Sequence, residues 1–342
     1  MSKTNQIDNN RNVSLDVLKM VCAFMVIVCH FGNGVPYLKP LFASVVVPIF
    51  ITLSFYFLTQ KISKKNITLP EELNIYKQRL LRLFLPLTIW NVIYFTIYNL
   101  VLKKEVSWTD FLWQLTTGHS NSLNPPMWFM VNLIMLTLLF GIIISFYKKY
   151  SSFIFFFILI FSYYLQYTEF NYYLYNNLRF ELKWPLGRFI EVAPFMSIGY
   201  FMGKYEILKI FKEQIKLQGK ALLFWIVFSV FMFFYINTYS HNPIASGFHY
   251  SGIKNAKLAI IIIIFFNLLP FKKLKNLPYA FLFSTKYSMG IYCTHILVEK
   301  FIHPYLYSGD SLLYCCIIFL ASYMFCFLID LVFNQKAKYL IQ

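Results

Sequence analysis

Long apolar runs separated by short polar stretches make up most of the chain. The runs cover roughly 14–34, 41–60, 83–102, 127–147, 151–167, 188–204, 220–239, 254–271, 284–306 and 311–333. A helix crosses a bilayer with about 20 mostly apolar residues, and each run approaches that length. The pattern predicts an all-α, polytopic transmembrane helix bundle of about ten spans. It divides into a polar N-terminal segment at 1–13, a membrane domain over 14–333 and a tail at 334–342. Asp16 and Lys19 interrupt the first run, no small-residue cleavage site follows it, and a second apolar segment comes soon after. The first run is therefore expected to stay in the chain as an uncleaved span.

Charge changes the picture next. Only 13% of residues are charged and 58% are hydrophobic, too little polar surface to solvate a globule of 342 residues. The formal net charge is +17, yet the basic residues sit in short segments between apolar runs and form no nucleic-acid-binding module. They read instead as orientation signals. With the N-terminus inside and strict alternation, roughly two thirds of the Lys and Arg fall on the inner side, which predicts both termini in the cytoplasm. The six cysteines all lie in apolar runs, without metal-ligand spacing to a histidine, and read as small buried hydrophobes. No metal site is expected.

Ionisable groups inside a span are costly and point to function. The first run carries three: Asp16, Lys19 and His30. Lys19 and His30 stand eleven positions apart, about three turns plus 20°, so they share one helix face and lie about 16 Å apart along the axis. Two readings stand for each. Lys19 is either a snorkelling cation paired with Asp16 at i,i+3 or a group facing a cavity. His30 is either a tie between helices or a reactive imidazole.

Three further features carry chemistry. Arg79 and Arg82, at i,i+3 just before the third run, form two guanidinium forks able to hold phosphates, or serve only as orientation signals. Pro125 and Pro126 end a loop and start a helix, with Trp128 at its head as an interfacial anchor or a ligand contact. The ninth run places Gly290, Tyr292 and His295 in one span, where His295 either shares a cavity with His30 or ties helices. His119, His241, His249 and His303 lie in loops or at helix ends and are expected to be solvated. The longer connections, about 103–126, 168–187 and 240–253, are rich in Asn, Ser, Tyr and Trp, which suits contact with sugars and equally suits an aromatic belt at the interface.

Taken in order, these features resemble the acyltransferase 3 family of bacterial membrane acyltransferases. Asp16, Lys19 and His30 resemble its opening motif. Arg79 and Arg82 followed by Pro86 resemble the next, Trp128-Phe129 the following one, and Gly290-Ile291-Tyr292-x-x-His295 the late one. Lys19 stands where many members have Arg, and the Trp128 segment lacks the Trp-Ser-Leu-x-x-Glu form of some. The resemblance implies an O-acyltransferase in a bacterial plasma (inner) membrane. It would move an acyl group, expected to be acetyl, from cytoplasmic acyl-CoA to a hydroxyl of a cell-surface or lipid-linked glycan. On that reading no cofactor is bound permanently, and acetyl-CoA, a carbohydrate acceptor and membrane lipid are the partners. No esterase-like domain follows the last run, so a separate extracytoplasmic transfer protein is a further expected partner. The family likeness implies Arg79, Arg82 and Lys19 at the CoA head, His30 as general base with Lys19 assisting, and Trp128, Tyr292 and His295 on the acceptor side. A covalent acyl-histidine competes with the simple base role. The rival reading is a transporter or flippase for a lipid-linked glycan, which would tolerate His30→Asn and consume no acetyl-CoA. A membrane sensing module is a second rival.

Overall fold

The computed structural model describes the chain except residues 1–11, 34, 36–37, 64–66, 119–122, 169–179, 215–226, 230, 232–252, 270–284, 307–310, 338–340 and 342. Among the described residues the regular structure is helical, with no strand. The principal helices are α1 (Val13–Phe31), α2 (Leu38–Ile62), α3 (Leu69–Leu100), α4 (Trp108–Thr117), α5 (Trp128–Tyr147), α6 (Ser151–Tyr167), α7 (Phe180–Lys204), α8 (Ile207–Gln214), α9 (Ile253–Leu268), α10 (Ser288–Ile302) and α11 (Leu312–Phe333). In lipid a helix satisfies every backbone polar group internally, which is why such apolar runs fold this way.

Among the described residues, five helical stretches are long and apolar enough to cross a membrane by length and composition: α1, α2, α3, α11 and the continuous stretch Pro125–Gln166. That last stretch is two helices folded back on each other. The ring centroids of Phe140 and Phe155 lie 5.2 Å apart. In one straight helix those positions would be about 22 Å apart. The reversal occurs at the short 3₁₀ turn Lys148–Tyr150. The expected run at 220–239 lies outside the described residues, apart from 227–229 and 231.

Two differences from the expected boundaries bear on the site. The third helix starts at Leu69, with a capping box between Thr68 and Glu71, so Arg79 and Arg82 lie inside it and not before it. Pro86, also inside α3, has no N–H to give the carbonyl of Arg82, four residues back. The connection at 103–126 contains α4. Ser107 caps its first turn by accepting from the Asp110 N–H, and Gly118 ends it at φ 72°. A Cβ at Gly118 would stand 2.3 Å from the Trp128 Cα. The glycine is thus required both by its left-handed backbone and by the close approach of α4 to α5.

The core is built around α2. Gly199 and Gly203 of α7, one turn apart, press against its backbone: a Cβ at Gly199 would lie 2.5 Å from the Thr52 carbonyl oxygen, and one at Gly203 2.8 Å from that of Tyr56. This is the small-xxx-small seam that lets lipid-buried helices approach closely. Helix α1 packs between α2, α10 and α11. The start of α1 and the end of α11 lie at the same end of the bundle, because Lys286, which pairs with Asp330 of α11, lines one cavity with Asp16 and Lys19.

Candidate active site

That cavity has a volume of about 540 Å³ and is walled by α1, α2, α3, α5 and the start of α10. It gathers Lys19, Arg79, Arg82 and Lys286, four cations, around apolar walls that include Phe50, Phe57 and Phe129. Sequence reasoning had placed the first three together; the structure adds Lys286.

The four cations are held differently. Lys19 Nζ sits 3.0 Å from Asp16 Oδ1, the i,i+3 pair expected from their spacing, and 4.5 Å over the Phe57 ring. Lys286 pairs with Asp330, whose Oδ2 also accepts from the Tyr287 hydroxyl at 2.8 Å. Arg79 is held by uncharged groups. Its Nε donates to Thr137 Oγ1 at 3.0 Å, and its two terminal nitrogens donate to the Ser54 carbonyl at 3.1 Å and to Ser54 Oγ at 2.6 Å. The guanidinium also stacks 4.9 Å from the Phe55 ring. Among the described residues these bonds use three of its five N–H donors. Arg82 is exposed on the same wall.

Tyr292 lines the cavity from α10. Its ring packs 5.3 Å from Phe129, and its hydroxyl donates to the Pro126 carbonyl. One turn further along α10 lies His295, completely buried, with its ring 6.1 Å from that of Tyr292. The His30 ring is 5.3 Å from the His295 ring. Helices α1 and α10 therefore run side by side in the same direction. Lys19 and Tyr292 face the cavity, and the histidine pair lies beyond it. The structure places His295 beside His30, a contact that both readings of His295, shared cavity and tie between helices, contain.

His295 is oriented by backbone. Its Nδ1 lies 2.8 Å from the Tyr292 carbonyl and 3.2 Å from that of Ile291, while its buried Nε2 has no hydrogen-bond partner among the described residues. Two neighbouring groups hold α10 at this point. Tyr94 of α3 donates its hydroxyl to the Cys293 carbonyl at 3.0 Å and accepts from the Leu297 N–H at 3.0 Å, bridging the two ends of one helical step around His295. Asn124 Nδ2 donates to the same carbonyl at 3.3 Å. Gln114 of α4 donates to the Asn124 carbonyl at 2.7 Å, so α4 braces the arrangement.

Family comparison adds the decisive observation: a family model described as an acyltransferase domain, that of acyltransferase 3, matches residues 12–331. The chain belongs to the acyltransferase 3 family. Neither the curated proteins nor the solved structures contain a significant match. With its apolar helices, the protein is a membrane acyltransferase in general terms, and the match spans every side chain described above.

Trp128 takes a place apart from the cavity. The Arg188 guanidinium lies 5.3 Å over its ring, and Arg188 pairs with Glu191 at 2.8 Å, both buried. This cluster was missed from sequence, although Arg and Glu at i,i+3 in an apolar helix signal it. Asp330 and Glu299, buried or nearly so in α11 and α10, were missed for the same reason. His303, expected to be solvated, is half exposed and lies 3.5 Å from Glu299 Oε1. His119, His241 and His249 lie outside the described residues. A second cavity, about 560 Å³, opens between α3 and α5 on the outer surface of the bundle. Its lining is mostly apolar, with Tyr76, Lys77, Thr137 and Ser145 as the polar side chains.

Proposed function

We propose that this acyltransferase moves an acetyl group from acyl-CoA to a hydroxyl of a cell-surface or lipid-linked glycan, with His30 as general base. The supporting observation is the order of groups along α1 and α10: a four-cation cavity, then Tyr292, then the His295–His30 pair. Anionic phosphates of CoA suit the cavity, which Arg79 and Arg82 both line. Cytoplasmic acyl-CoA places the cavity end of the bundle, and both termini, on the inner side. About ten spans and a bacterial plasma membrane fit this orientation.

In the chemical step, a neutral His30 nitrogen takes the proton of the attacking hydroxyl. The oxygen forms a bond to the thioester carbonyl carbon, and a tetrahedral oxyanion results. Collapse breaks the carbon–sulfur bond, and the leaving thiolate takes the proton from the His30 imidazolium. Lys19, on the same helix face, supplies positive charge toward the donor. Tyr292 and Trp128 are assigned to the acceptor side, and a separate extracytoplasmic protein completes export of the product where the acceptor lies outside.

The test incubates membranes with acetyl-labelled acetyl-CoA and a native glycan extract, for wild type and for His30→Ala after its insertion is confirmed. Label in base-labile ester on glycan with wild type alone supports the reading. Absence of acetyl-CoA consumption by wild type with any extract refutes it and favours glycan transport. Label trapped on His30 without acceptor replaces the base role with a covalent acyl-histidine.

A further inference from the structure

We infer that His295 is a positioning residue that fixes which nitrogen of His30 is bare, by accepting a hydrogen bond from His30 at Nε2. This rests on the proposed function for its catalytic half; the geometry of His295 stands on its own.

The argument begins with the backbone carbonyls of Ile291 and Tyr292. Both can only accept, so the Nδ1 that lies 2.8 Å and 3.2 Å from them carries a proton. A neutral imidazole with a proton on Nδ1 has its lone pair on Nε2. That atom is fully buried and has no hydrogen-bond partner among the described residues, an arrangement that leaves an acceptor without a donor at a cost. The neighbouring ring able to donate is His30, with centroids 5.3 Å apart and planes inclined by 40°. The other ring groups near it, Tyr292 at 6.1 Å and Phe31 at 6.1 Å, do not serve: the Tyr292 hydroxyl already donates to Pro126, and Phe31 has no donor.

A small rotation of the His30 ring as substrate enters brings its N–H onto His295 Nε2. Catalytic hydrogen bonds are often long before substrate binds and tighten in the complex. The opposite nitrogen of His30 is then the bare one, and it takes the hydroxyl proton. His295 neither gains nor loses a proton in the cycle. Its lone pair strengthens the bond while His30 is an imidazolium, and the proton on His30 passes to the departing thiolate. An acidic partner plays this part in serine hydrolases; here a neutral histidine with a fixed tautomer does so in a site buried among helices.

Two measurements test the inference together. Kinetics compare wild type, His295→Gln and His295→Leu with acetyl-CoA and a glycan extract. Gln keeps an acceptor oxygen near the Nε2 position, and Leu removes it at similar size. The expected result is a loss of kcat on the order of 10²–10⁴-fold in His295→Leu, KM for acetyl-CoA changed by less than about twofold, and recovery by His295→Gln to within about tenfold of wild type. Nitrogen-15 spectra of histidine-labelled protein in lipid nanodiscs give the second reading, with the His295 signals assigned by their loss in His295→Gln. A protonated Nδ1 and a bare Nε2 are expected. A protonated Nε2, or equal kcat in wild type and His295→Leu, overturns the inference while leaving acyl transfer by His30 intact. Equal loss in Gln and Leu reduces His295 to a packing role and overturns it too. Absence of acyl transfer by wild type overturns the proposed function, and the positioning role with it.

Discussion

Removing the Tyr94 hydroxyl should disturb the site without touching substrate. In Tyr94→Phe the ring stays and two hydrogen bonds go, those to the Cys293 carbonyl and from the Leu297 N–H. The carbonyl keeps Asn124 as a donor. Leu297 N–H is left to close onto Cys293 in the ordinary helical manner, which shifts the turn that carries His295. A buried group deprived of its partner costs about 1–3 kcal/mol; with one carbonyl still served, about 2 kcal/mol is the expected loss, or a fall of about 4 °C in melting temperature. A displacement of the His295 ring by about 1 Å should lower kcat by roughly 10- to 100-fold with little change in KM. Thermal unfolding in detergent and initial rates with labelled acetyl-CoA read the two effects. Tyr98→Phe, one turn along α3 with its ring 5.8 Å from Tyr94, serves as the control for loss of a buried phenol. Combining Tyr94→Phe with Asn124→Ala should give a coupling of about 0.5–3 kcal/mol, because both groups serve one carbonyl. A lower melting temperature with unchanged kcat would refute the positioning argument and leave Tyr94 as a tie between helices.

Arg79→Lys should lower stability by about 3 kcal/mol, since an ammonium cannot reproduce the fork that reaches Thr137 and both acceptors of Ser54; thermal melting checks this. Arg82→Lys, on the exposed side of the same cavity, should leave the melting temperature unchanged and raise KM for acetyl-CoA several-fold. Asp16→Asn should free Lys19 from its 3.0 Å partner, tighten acetyl-CoA binding by a few-fold and steepen its salt dependence, measured as KM at two ionic strengths. Gly199→Ala should cost about 1–3 kcal/mol, because the new Cβ meets the Thr52 carbonyl oxygen at 2.5 Å and backbone cannot give way as a side chain can.

The parts of this site that were legible in the sequence are those that break a pattern within one run. Asp16, Lys19 and His30 stand out because everything around them is apolar, and the helical period alone puts Lys19 and His30 on one face. Arg79 and Arg82 were legible as a pair, but their place was not: charges lower the local hydropathy, so the apolar run starts later than the helix does. α4 was overlooked although Ser107, Asp110 and Gly118 are ordinary start and stop signals, because its ten residues are too few to register against membrane-length runs. Tyr94 could not have been found. A tyrosine in an apolar helix has many uses, and insertion of its hydroxyl beside His295 depends on α3 and α10 meeting, which their separate sequences do not state. Gly199 and Gly203 have a readable spacing, but α2 as their partner is a matter of packing.

Lys19 and His30 share one uninterrupted helix, and this turns α1 into a ruler. Neither group can approach the other: eleven residues fix their separation at about 16 Å along the axis, whatever the rest of the bundle does. On the proposed function, a donor anchored by its anionic end at the cavity would have to present its reactive carbon at one set reach, and a molecule with a shorter arm would be excluded by length before any chemical selectivity operates. Inserting a single residue between the two marks would lengthen the scale by only about 1.5 Å but turn one mark by about 100° from the other. On that reading the register of this helix would constrain the choice of donor more sharply than the volume of the cavity beneath it.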